Sequence, residues 1–242
     1  MTRKTTLPLV VTPSRRAGGF TLTEVALAVF VAGLALAGTL KGTELVSQSR
    51  IKGLVADYTG TVAAYHMYTD RYAAMPGDDP GVSRRWTSAL GGNGDRTLSG
   101  RFDSATPTDL AGFTIDGASG ESLAFWWHLR LAGLVPGASS GPAALAPPVN
   151  TYNGIIGAQQ GAYGLAGVTV CLGGLSDYMV GAIDAQLDDG RPGSGSLRTA
   201  PAGSETPMAV YRETRDDAQR YVVCGAATGG GATAAVVAMG SP

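Results

Sequence analysis

The sequence predicts an α+β fold, a long N-terminal helix packed on a small, mainly antiparallel sheet head with helical insertions. Three features carry this. Phe20 to Leu40 (FTLTEVALAVFVAGLALAGTL) contains a single charge, Glu24. From Lys41 onward apolar residues recur at helical spacing as far as Tyr72. From Pro76-Gly77 onward the chain breaks into short β-like runs punctuated by Gly and Pro, and residues 73–242 hold all but seven of the 36 glycines.

Composition narrows the function classes. Of 242 residues, 44% are hydrophobic and 15% charged, and the glycines follow no period, which excludes collagen and wholesale disorder. A net charge of −1 gives no basic excess, so no nucleic-acid partner is expected. Two Cys and two His cannot fill a four-ligand zinc site at the usual spacings, and no metal or cofactor is expected.

The charge is unevenly placed. Arg3, Lys4, Arg15 and Arg16 make residues 1–19 a +4 segment without an acid, so the remainder sums to −5. The apolar stretch that follows would span roughly 31 Å as a helix, about the thickness of a bilayer's hydrocarbon core. A basic flank before an apolar span keeps the leader in the cytoplasm and sends the rest across. Three readings compete. One is a secretory signal cut after Ala37, at the small-x-small run Ala35-Leu36-Ala37. Another is a twin-arginine signal at Ser14-Arg15-Arg16, although Gly18 and Gly19 stand where that pattern carries a bulky apolar residue. Both leave Glu24 inside the hydrophobic region, where an ionised carboxylate is costly. The third cuts at Gly19–Phe20 and keeps the apolar segment.

Gly19 followed by Phe-Thr-Leu-Thr-Glu and an apolar run resembles the processing site of type IV pilins and type II secretion pseudopilins. The resemblance implies cleavage by prepilin peptidase after Gly19, N-methylation of Phe20, and Glu24 as the acid at mature position five. It implies partners as well: other pilins or pseudopilins in a fibre, an inner-membrane assembly platform, and the inner membrane itself. In that role Glu24 pairs with the Phe20 amine of a neighbouring subunit, whose charge N-methylation preserves. The other reading of Glu24 is an acid favoured by the helix dipole in the first turn. Major members of the family tend to carry Pro at the twenty-second mature position, where this chain has Lys41, while Gly33 matches the glycine often found at the fourteenth. A minor or atypical subunit follows.

Between Lys41 and Tyr72 the stripe comprises Leu45, Ile51, Val55, Tyr58, Val62, Tyr65 and Tyr72, with Pro76-Gly77 as the stop. One helix over 20–72 would measure roughly 80 Å. The alternative is an anchor joined by a linker to a separate helix, with Gly42, Gly53 and Gly60 as possible bends. The division expected is a leader over 1–19, a helix over 20–72 with 20–40 as its membrane and assembly half, and a periplasmic head over 73–242.

The head opens with residues 75–104, loop-like and long enough to be functional or mobile. Ser119 is a candidate N-cap for a helix over ESLAFWWHLRL, whose Phe125, Trp126, Trp127, Leu129 and Leu131 cover more than one face. GPAALAPPVN reads as an extended connector. Strands are predicted at 165–172, 208–211, 220–224 and 233–239, with a short helix through Met179, Val180, Ile183 and Leu187. Cys171 and Cys224 end two of these strands, and in an oxidising compartment they are expected to form a disulfide, free buried thiols being the alternative. Pilins often carry a comparable C-terminal disulfide.

No catalytic constellation emerges, and no enzyme is expected. Gly137-Ala138-Ser139-Ser140-Gly141 matches a nucleophile elbow in letters only, lying between Pro136 and Pro142 instead of a strand and a helix. His66 and His128, the two possible imidazole bases, are assigned to packing. Asn93, Asp95, Thr97 and Asp103, and separately Asp188-Asp189-Gly190, have oxygen ligands in calcium-loop fashion, but solvated turns are the expectation for both.

Overall fold

The computed structural model describes residues 19–108, 113–115, 120–211 and 219–227. It has a 51-residue helix α1 (Leu22–Tyr72), a single-turn helix α2 (Val82–Arg85), α3 (Glu121–Leu131), β1 (Ile156–Gln160), β2 (Val168–Leu175), α4 (Asp177–Leu187), β3 (Leu197–Pro201) and β4 (Tyr221–Ala226). The chain divides into two units between Val46 and Ser47.

In the first unit, α1 is apolar on every side before its Lys41–Glu44 ion pair, and Phe20, Leu22, Leu27, Phe30 and Leu34 are all exposed. In the second unit α1 becomes one-sided. Ile51, Val55, Tyr58, Val62 and Tyr65 of the predicted stripe are buried, joined by Leu54 and Tyr68, which are fully enclosed. Leu45, counted in the stripe, is exposed, and Tyr72 is half-buried. No linker interrupts the helix at Gly42, Gly53 or Gly60.

Four antiparallel strands form one sheet in the order β1-β2-β4-β3. Alternation sorts its residues. Val168, Val170 and Leu172 of β2 and Tyr221 and Val223 of β4 join the core with Leu54, Tyr58 and Val62 of α1. Cys171, Val222 and Cys224 pack instead with Phe102, Ala162 and Leu165. α1 comes close to the sheet at Gly225, where a Cβ would lie 2.7 Å from Tyr58 Cζ. Glycine is therefore what lets the tyrosine ring rest on β4.

Several predicted elements need correction. β2 starts three residues later than expected, and β1 and β3 were not predicted. Residues 208–211 form no strand: the Met208 N–H donates once to Thr199 of β3 (2.7 Å), and Tyr211 turns its hydroxyl to Asp184. The 233–239 strand lies outside the described residues, as does Ser119. Gly120, in a left-handed conformation, holds the cap position of α3. The proline-rich connector is not extended throughout. It makes a 3-10 turn at Pro142–Ala144 with Leu145 fully buried, and Arg130 donates to the Ala144 and Ala146 carbonyls at 2.7 Å each.

α3 is enclosed on nearly all sides, as its crowded apolar residues require. Trp126 and Phe125 enter the main core, while Trp127 joins Val82, Leu123 and Leu145 in a second cluster. The segment after α1 is pinned to this helix. Glu121 accepts the backbone N–H groups of Ser99 (2.8 Å) and Asn93 (3.3 Å), and His128 bridges Gly77 and Leu90. At Gly77, with φ +92°, a Cβ would meet the Leu98 side chain at 2.6 Å.

Candidate functional site

At the start of α1, Thr21 is the N-cap and Glu24 the third helical residue. The Glu24 carboxylate accepts the Thr21 backbone N–H (2.9 Å) and hydroxyl (2.8 Å), and the Glu24 N–H reaches Thr21 Oγ1 at 3.3 Å. This is the reciprocal capping box of a Thr-x-x-Glu sequence. Sequence reasoning missed it, although the four letters carry the signal. Phe20 lies beside this cap, 86% exposed, with Gly19 also exposed. Among the described residues α1 is long and apolar enough to cross a membrane, and its apolar window has no buried residue. The segment thus presents an apolar helical surface with one carboxylate near its N-terminal end.

Cys171 and Cys224 form a disulfide between directly paired residues of β2 and β4, with Cα atoms 4.0 Å apart. Both are fully buried. It closes a 53-residue separation, for which chain entropy gives a stabilisation of roughly 4 kcal/mol.

The other candidate groups serve structure. His128 Nδ1 accepts the Gly77 N–H (2.9 Å), so Nε2 carries the proton and donates to the Leu90 carbonyl (2.9 Å). Burial holds its pKa down at about 4, leaving a neutral ring with both nitrogens engaged. His66 Nε2 lies 2.9 Å from the Ala227 carbonyl oxygen. Residues 137–141 are loop, and Ser139 uses its carbonyl to accept the Trp127 indole N–H (3.0 Å).

Of the acidic loops, Asp95 is consumed locally by Asn93 (2.8 Å), the Thr97 N–H (2.8 Å) and the Thr97 hydroxyl, and Asp103 pairs with Arg101. Asp188 and Asp189 stand with Asp184, each offering an oxygen within 4.8 Å of the others. Asp188 accepts the Leu197 N–H (2.9 Å) and the Ser196 hydroxyl (3.2 Å); Asp189 accepts the Arg191 N–H (2.8 Å) and Ser194 hydroxyl (2.7 Å). Asp184 is fully buried and accepts the Tyr211 hydroxyl (2.9 Å), while its Oδ1 has no hydrogen-bond partner. Burial pushes its pKa up to about 6, and Asp188 and Asp189 push the same way.

Sequence reasoning also missed Asp78, Asp79 and Glu121, all buried carboxylates of the head. Asp78 accepts Gly94 N–H (2.6 Å) and Arg96 N–H (2.7 Å), and Asp79 accepts the Tyr68 hydroxyl (2.7 Å), Gly81 N–H (2.8 Å) and Arg85. Burial raises the Glu121 carboxyl above its usual range against the Ser99 and Asn93 donors. The Asp-Asp pair beside Pro80 was the available signal. No protein-family model, curated protein or solved structure matches the chain.

Proposed function

We propose that this chain is a structural subunit, a minor pilin or pseudopilin, of a type IV pilus or a type II secretion pseudopilus, without catalysis of its own. The observation that carries the reading is an exposed, all-round apolar helix that starts at a single capped carboxylate and continues into a disulfide-bonded α+β head. A soluble domain gains nothing from so long a run of exposed apolar residues in one helix. A subunit that sits first in a bilayer and then in the core of a fibre needs such a surface.

In this reading prepilin peptidase removes residues 1–19 and methylates Phe20. Residues 20–40 hold the subunit in the inner membrane, with the head over 73–242 in the periplasm. The assembly platform delivers it to other pilins, and helix packing drives incorporation. Glu24 then exchanges its Thr21 partners for the Phe20 amine of a neighbour, which relieves an uncompensated charge in lipid and sets axial register. Lys41, in place of the proline of major subunits, supports the minor assignment.

N-terminal sequencing and intact mass of the mature protein test this directly. N-methyl-Phe20 as the first residue is expected. A mature chain beginning at Gly38 would overturn it in favour of a periplasmic binding module or enzyme released from a signal peptide.

A further inference from the structure

We draw no further inference here: the strongest candidate, the side-chain cluster of Asp184, Asp188 and Asp189 between the end of α4 and the turn into β3, is an acidic cluster whose one orphaned oxygen belongs to Asp184 itself, and a calcium loop there restates a property of some major pseudopilins, the family that the chain resembles.

Discussion

Thr21 and Glu24 satisfy each other at the start of α1, the carboxylate taking two donors from one threonine while its own N–H points back to Thr21 Oγ1. Glu24 therefore has two separable duties, ending a helix and carrying a charge. The N-cap needs only an acceptor at the third position, which glutamine supplies. Pairing with a neighbour's amine needs the charge.

Glu24→Gln should keep α1 capped, insert and be processed, yet enter fibres at least about tenfold less well, because a neutral amide cannot offset an amine in lipid. Thr21→Ala should show the reverse pattern: an N-cap loss of ~1 kcal/mol with incorporation nearly retained. Immunoblots of sheared fibres against the membrane fraction read both. If Thr21→Ala blocks incorporation and Glu24→Gln does not, Glu24 acts through the cap alone.

The capping box went unread although it is local and four consecutive letters, Thr21 to Glu24, fix it. α3 was legible from its end signals, α4 from helical spacing, and β2 and β4 from β-branched runs. β1 and β3 were not, since IGAQQ and LRTAP are strands by virtue of their partners. Gly157 is tolerated in β1 because the Phe102 backbone and side chain come too close for a Cβ, and β3 survives on a five-residue register with β4. Conversely, apolar MAVY lacks a ladder to join. The Asp79–Arg85 pair was beyond sequence reasoning because Tyr68, which donates to Asp79, comes from the last turns of α1.

Gly225 should prove intolerant of even one methyl group. A Cβ there would lie 2.7 Å from Tyr58 Cζ and 2.9 Å from Cε2, with the hydroxyl closer still. Gly225→Ala is expected to destabilise the head by about 1–3 kcal/mol through overpacking. Tyr58→Phe removes the nearest atom and a long hydrogen bond to the Ala226 carbonyl (3.4 Å), costing ~1 kcal/mol alone. In the double variant part of the clash disappears, so the cost should fall below the sum of the singles. Urea unfolding followed by tryptophan fluorescence gives the cycle. Strict additivity would mean that β4 and α1 do not meet at this pair.

Acid stability should depend on buried groups of opposite sign, of which His128 and Asp184 shift further than Glu121. His128 has its pKa lowered from 6.5 to about 4, so between those values the unfolded chain binds more protons and stability falls as pH falls. Over that window the loss is about 3 kcal/mol. Asp184 has its pKa raised from 3.8 to about 6, so here the folded chain binds more protons and stability rises as pH falls from 6 to 4, by roughly 1–3 kcal/mol. The slopes oppose, and the wild-type head should change little between pH 6 and 4. Asp184→Asn keeps a partner for the Tyr211 hydroxyl and should unmask the full histidine loss on acidification. His128→Gln, with one acceptor and one donor for Gly77 and Leu90, should unmask the reverse, a head that gains stability as pH drops. Denaturant midpoints at stepped pH, with a chelator present so that no cation holds Asp184 charged beside Asp188 and Asp189, read all three chains. Parallel pH profiles for wild type and Asp184→Asn would show that the Asp184 carboxyl titrates no differently in the folded chain than in the unfolded one.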